Sequence, residues 1–392
     1  MLNENIRNMR MALGISQDEL AESLHVVRQT VSKWEKGLSV PDAALLRELA
    51  SQLNTTVTTL LGKTIDPNTY HMILHKSAPD EVSLNRLMGA VDIGGTKVQI
   101  GLVTGNGKFL GTTGFSTDSR KQSGEDAMQK IADALRALCE DAHIPMESLC
   151  GIGVFCAGPV DTQKGTVENP YTLPRWEGLP LAELLSDATG LPVKLENDAN
   201  GALLGEVFAR GIAHKRVLMV TLGTGIGVAF WDGEGVYRTG RYHPEMGHII
   251  VTNEGPVCYC GHRGCFESLC SGKAINARVQ AAGYADFEDL LAHNPQEPAQ
   301  ALLSQILQDF RSGIWSLRVV FKPDVLIIAG GFAKSCFPIL QQALSLPAEN
   351  SEDFSGLAEI LPESNVPNAA LLGACMLPWK KKKRRRLSNE TV

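Results

Sequence analysis

The chain has 392 residues, 44% of them hydrophobic and 20% charged, a balance typical of a globular protein and one that argues against long disorder. Its formal charge of −6 hides an asymmetry: the run "KKKKRRR" at 380–386 carries seven of the 37 basic side chains, and residues 1–379 hold 30 basic against 42 acidic ones. This excludes a generally basic nucleic-acid surface, so any DNA contact must come from a local patch.

No apolar run approaches the roughly 18 residues of a membrane span, and the opening "MLNENIRNMRMALG" lacks the apolar core of a secretion signal, so a cytoplasmic protein without membrane contact is expected. Nine cysteines, odd in number and scattered, do not form a disulfide framework. For the basic tail, 380–392, a solvated end is the expected state and an anchor to DNA or anionic lipid the other.

From Ile6 to Leu61 apolar residues recur at helical spacing. "SQDELAESL" opens with Ser16 as N-cap and Glu19 three residues on, a capping box. A short turn at His25 and Val26 leads into "VRQTVSKWEKG", where Val31 and Trp34 point inward and Arg28, Gln29, Thr30, Ser32 and Lys33 outward. A further helix starts at Pro41 and Asp42. The capped helix, tight turn and polar second helix fit helix-turn-helix geometry. Arg and Gln can read guanine and adenine bidentately, and Lys and Ser suit phosphates. The other possibility is a helical bundle serving only to dimerise. Residues 1–62 resemble the phage-repressor, Cro-like helix-turn-helix family, which implies double-stranded DNA as a partner. Two departures stand out: His25 lies near a turn where glycine is usual, and Val27 replaces the usual small polar cap. Residues 63–88 lose periodicity, include Pro67 and Pro79, and read as a linker.

From Gly89 the texture changes to apolar strands broken by glycine. "VDIGGTKVQIGLVTGNGKFLG" (91–111) and "VTLGTGIGVAFWDGEGVYRTG" (220–240) share one plan: strand, Gly/Thr turn, strand, Gly-x-Gly turn. A repeat of this length suits two similar lobes facing a cleft. Backbone amides in such turns can approach phosphate oxygens, with threonine hydroxyls as further donors. The nucleotide-binding candidates are therefore Asp92, Gly94, Gly95, Thr96 and Lys97 in one loop and Gly223, Thr224 and Gly225 in the other. Asp92 suits Mg²⁺, or else caps a turn. A third turn, Gly330 and Gly331 in "VLIIAGGFA", suits the base or ribose. In "LPVKLENDANGALLGEVFARG" a strand ends near Glu196 and a helix starts near Ala199, so Asp198 sits at the junction as a cap or as something more.

Cys258, Cys260 and Cys265 with His248 make a Cys₃His set, enough to close a tetrahedral zinc shell with no place for water, hence a structural ion, the alternative being unpaired buried cysteines. A nucleic-acid knuckle is disfavoured by a single aromatic between the first two cysteines and only His262 and Arg263 as basic residues.

"DIGGTK", "VENPYTLPRWEGLPL", "LENDANGALLGE", "TLGTGIG", "HPEMGH" and "CYCGHRGCFES" follow one another as in the ROK family of repressors and sugar kinases, over residues 89–379. This resemblance implies an α/β fold of two lobes, like actin and hexokinase, preceded by the small all-α domain. It implies ATP, Mg²⁺ and Zn²⁺ as cofactors and a hexose as substrate. Asp198 corresponds to the general base, and Asn197, Glu245, His248 and Glu267 to the sugar ligands. His248 lies three residues after Glu245 and Cys265 two before Glu267, so one ion would brace both carboxylates. Family repressors usually carry a winged helix-turn-helix and degraded ATP loops, and this chain departs on both counts, which favours retained kinase activity over a sugar sensor. "HPEMGH" looks closer to the fructokinase branch, yet the zinc loop does not follow it, leaving glucose, fructose, mannose and N-acetylated hexosamines open. Both resemblances imply a homodimer.

Overall fold

The computed structural model describes residues 2–12, 15–53, 60–61, 86–345 and 358–377. The chain divides into two compact units, Met1–Val82 and Ser83–Val392. Most of the expected linker and the whole basic tail lie outside the described residues.

The first unit holds helices α1 (Leu2–Ala12), α2 (Gln17–Ser23), α3 (Arg28–Glu35) and α4 (Ala43–Gln52). Ile6, Met9, Leu20, Leu24, Val31, Trp34, Leu49 and Leu53 form its buried core. The Ser16 capping box is present: its hydroxyl accepts from the Glu19 amide at 3.1 Å and the Glu19 carboxylate accepts from the Ser16 amide at 2.6 Å. The Glu35 carboxylate, buried at the end of α3, accepts from Arg10 and from Gln17 and so ties three helices together. His25 does take a left-handed backbone, φ 53°, the conformation glycine adopts without strain.

The second unit is built on two sheets. One has the order β3–β2–β1–β4–β7, from strands β1 (Leu87–Ile93), β2 (Lys97–Thr104), β3 (Phe109–Ser116), β4 (Ile152–Cys156) and β7 (Val193–Asn197). The other has the order β11–β10–β8–β9, from β8 (Val217–Leu222), β9 (Ile226–Trp231), β10 (Val325–Ala329) and β11 (Glu359–Pro362). The short β5 (Val160–Asp161) and β6 (Thr166–Val167) pair separately. Strand β1 begins at Leu87, inside the stretch expected as linker, because Met88 is buried and pairs with Val103. The repeated sequence appears as two antiparallel hairpins, β1–β2 and β8–β9, each turning at its Gly/Thr loop.

Helices α5 (Gly124–Asp141) and α6 (Leu181–Thr189) cover the outer face of the first sheet, where Val91, Ile93, Ile131 and Leu185 are buried together. Behind the second sheet lie α8 (Phe266–Cys270), α9 (Gly272–Ala281), α10 (Phe287–His293), α11 (Ala299–Phe321) and α12 (Gly331–Ser345). The inner faces share one core with α7 (Asp198–Arg210) and α13 (Ala369–Met376) between them. Strands buried on both faces read as near-continuous apolar runs, as "VLMVTL" and "VLIIA" do. Helices α7 and α13 touch backbone to backbone. A Cβ at Gly205 would lie 1.8 Å from the Ala369 carbonyl oxygen, and one at Gly373 2.7 Å from that of Gly201.

Candidate functional site

Parallel pairing of β1 with β4 and of β4 with β7 brings three strand ends side by side: Ile93 faces Cys156, and Cys156 faces Asn197. Asp92 and Asp198 therefore meet at one sheet edge with the buried Cys156 thiol between them. Desolvation, then the charge of Asp198, raises Asp92 to about 7, against the opposing pull of Lys97. Desolvation also raises Asp198, while the Ala199 amide, 2.9 Å from its Oδ1, acts the other way. Cys156 is pushed well up by burial and then by the two carboxylates. Two acids raised together at a strand edge are a common mark of a reaction centre.

The helix cap falls to Asn197, whose Oδ1 accepts from Ala199 N at 2.9 Å and Asn200 N at 3.4 Å. Capping thus occupies the Asn197 oxygen and leaves Asp198, the first helical residue, with a second carboxylate oxygen uncommitted to the cap. The Asn197 amide nitrogen lies above Gly158, where an added Cβ would stand 2.5 Å from Nδ2 and 3.7 Å from Glu245 Oε1. Only glycine leaves this space open, and the Asn197 amide and the Glu245 carboxylate both border it.

Glu245 is open to solvent, yet desolvation and then the charges of Asp198 and Glu267 raise it to about 7. Glu267, in α8, accepts from Ile226 N at 2.8 Å through Oε2, and a Cβ on Gly225 would come within 2.5 Å of that oxygen. One carboxylate thus joins the second Gly/Thr loop to the cysteine loop.

The loops themselves are short turns. Gly94 N donates to Lys97 O at 3.0 Å and Gly223 N to Gly225 O at 3.0 Å. Gly95, Thr96, Lys97 and Thr224 are exposed. Parallel pairing of β8 with β10 sets the third turn beside the second loop, Ala329 facing Thr221. There Gly330 N is held by the Glu363 carboxylate at 2.6 Å, which removes that amide as a phosphate donor and leaves Gly331 in open space.

His248, Cys258, Cys260 and Cys265 come together, their ligand atoms within 4.8 Å of one another. Cys258 Sγ lies 3.4 Å from His248 Nδ1 and Cys260 Sγ 3.5 Å from Cys265 Sγ. Thiolates around a tetrahedral zinc at about 2.3 Å stand about 3.8 Å apart, so the set fits the ion with small adjustment. Its use of Nδ1 leaves Nε2 for a partner, and that nitrogen lies 3.0 Å from the Tyr259 hydroxyl.

Residues 88–381 match the ROK family, and residues 6–60 match the helix-turn-helix family. The chain belongs to the ROK family. The glucokinase of Thermotoga maritima is 30% identical over 319 residues, 74% of this chain and 96% of that protein. The crystal structure of a ROK hexokinase from Thermus thermophilus superposes with TM-score 0.63 at 29% identity, over 74% of this chain and 97% of that one. A ROK family glucokinase from Streptomyces griseus, solved in complex with glucose and AMPPNP, gives 0.56 at 27% identity, over 74% and 98%.

Several residues of the ROK domain's cleft were not singled out from sequence. Glu196 is buried, and its Oε2 accepts from Arg238 Nε at 2.9 Å and from Nη2 as well. Its Oε1 accepts from Asn197 N at 2.9 Å and Asn200 Nδ2 at 2.8 Å. The pair anchors the turn that carries Asp198. Asn169 stitches two loops, donating to the carbonyls of Ala157 and Gly158 and accepting from the amides of Tyr171 and Thr172. Its place within the motif "ENPYT" is the signal the sequence offers for it. In the sequence Tyr259 reads only as an aromatic in a metal loop.

In the helix-turn-helix unit, Arg28, Gln29 and Lys33 are exposed on α3, Thr30 and Ser32 half-buried, and Val31 and Trp34 buried. Arg28 lies 3.4 Å from Asp18, an exposed pair of little energetic weight. None of the described helices is long and apolar enough to cross a membrane.

Proposed function

We propose that the ROK domain is an ATP-dependent hexose kinase and that the N-terminal unit binds double-stranded DNA. The observation that carries the first part is the meeting of Asp92 and Asp198 at one strand edge, beside the space bordered by Asn197 and Glu245. Asp198 accepts the proton of a sugar hydroxyl, the 6-hydroxyl by preference. The oxygen forms a bond to the γ-phosphorus as the bond to ADP breaks. Asn197, Glu245, His248 and Glu267 orient the sugar. The loops of 92–97 and 221–227 receive the phosphates through amides and threonine hydroxyls. Asp92 would hold Mg²⁺, which neutralises phosphate charge when bound. The Cys₃His set would hold a structural zinc that braces Glu245 and Glu267. Closure of the lobes would exclude water from the phosphoryl group.

A coupled assay with ATP and a panel of hexoses tests the reading, paired with Asp198→Asn. The variant should lose turnover by about 10²–10⁴-fold while its sugar affinity stays within a few-fold. Equal loss of binding and turnover refutes the role. The fused helix-turn-helix favours a second reading, a sugar-responsive regulator whose lobes, on binding sugar, alter the spacing of paired DNA-binding units in a homodimer. Absence of phosphorylation of every hexose would put that reading ahead.

A further inference from the structure

Tyr259 protrudes between the zinc-loop cysteines with 61% of its surface exposed, yet its hydroxyl is committed to the cleft. It lies 3.0 Å from His248 Nε2, and the two rings stand edge to face with centroids 5.0 Å apart. Across the cleft, Tyr171, 65% exposed, packs against the same ring at 5.3 Å. Tyr171 follows Asn169 in the first lobe, whereas Tyr259 belongs to the second.

With His248 Nδ1 turned to the cysteines, Nε2 carries the ring proton and donates to the phenol oxygen. That position therefore takes an oxygen that accepts from an imidazole, as a sugar hydroxyl does. The phenol oxygen makes, inside the protein, the His248 contact assigned above to the sugar.

We propose that Tyr259 is an internal competitor for the sugar: its hydroxyl fills one sugar-hydroxyl subsite at His248, Tyr171 steadies it from the facing lobe, and the entering sugar displaces it. This rests on the reading of the cleft as a hexose site. The residue sets the threshold of sugar concentration at which the cleft is occupied. It takes no part in phosphoryl transfer. Because the ring is largely exposed, leaving the site costs little packing, and the barrier to the sugar is chiefly the exchanged hydrogen bonds.

The test uses the full-length protein as Tyr259→Phe, which keeps the ring and removes the competing hydroxyl, and as Tyr171→Ala, which removes its support. Sugar Kd by calorimetry and KM by coupled assay should fall about five- to tenfold in Tyr259→Phe, and less in Tyr171→Ala, with kcat within about twofold of wild type. Zinc content should equal that of wild type. A tyrosine difference spectrum on adding sugar should be present in the wild type and diminished in Tyr259→Phe. Wild-type sugar binding together with an unchanged or raised Kd in Tyr259→Phe overturns the competitor and leaves the hexose site standing. Absence of binding of any hexose by either protein overturns both.

Discussion

Replacing Arg238 by Ala probes how the turn that carries Asp198 is held. Glu196 has a side chain only 2% exposed and satisfies four donors, of which Arg238 supplies two and the only positive charge. Stripping a buried carboxylate of its cation costs about 3–5 kcal/mol when the pair is fully buried. Arg238 is itself 35% exposed, and water would reach part of the gap, so about 2–3 kcal/mol is the expected loss. For a domain of this size that is roughly 5 °C in Tm. Because the same carboxylate positions Asn197 N, directly before Asp198, kcat should fall about tenfold while the sugar KM changes less. Glu196→Gln alone leaves a half-exposed arginine without its carboxylate and should cost less. The double variant should then be more stable than the summed single effects by at least about 1 kcal/mol. Thermal and urea unfolding give the stability terms, and the hexose assay gives kcat. Strict additivity of the two changes, with kcat untouched by Arg238→Ala, would refute the idea that this pair supports the turn.

The pH profile follows from the raised carboxyls. Asp92 is raised to about 7, so it gains a proton as pH falls through that region and loses it above; burial raises Asp198 in the same direction. A protonated Asp92 holds no cation and a protonated Asp198 cannot accept the sugar proton, so kcat/KM should decline as pH falls through the Asp92 range near 7 and level off above it. A flat profile from pH 5 to 8 in saturating Mg²⁺ would disprove it. Replacing Cys265 by Ser removes one ligand of the closed set: zinc content should drop from about one per chain toward zero, and sugar KM should rise at least tenfold with ATP KM within about threefold. Metal analysis and initial-rate kinetics check both parts.

Much of this architecture was readable beforehand because it is local. The capping box of Ser16 and Glu19 and the inward Val31 and Trp34 depend on neighbours within a helical turn, and periodicity exposes such relations. The two Gly/Thr hairpins were readable because a repeat marks them, and the metal quartet because its members crowd one loop. Capping at the α7 start went to Asn197 instead of Asp198, a difference of one residue that composition cannot resolve since both types cap well. Contacts between distant segments left no pattern. Arg238 reaches Glu196 across 42 residues, and Tyr171 meets Tyr259 only because the lobes face each other. Glu363 on the Gly330 amide likewise depends on how β11 is laid beside β10.

The crossing of α7 and α13 has its own mechanical meaning. Where main chains touch at Gly201, Gly205 and Gly373, no side-chain rotamer is available to absorb a shift, so the two helices can only travel as one strut. Asp198 rides on the first turn of that strut, so a displacement of the second helix would carry the carboxylate with it.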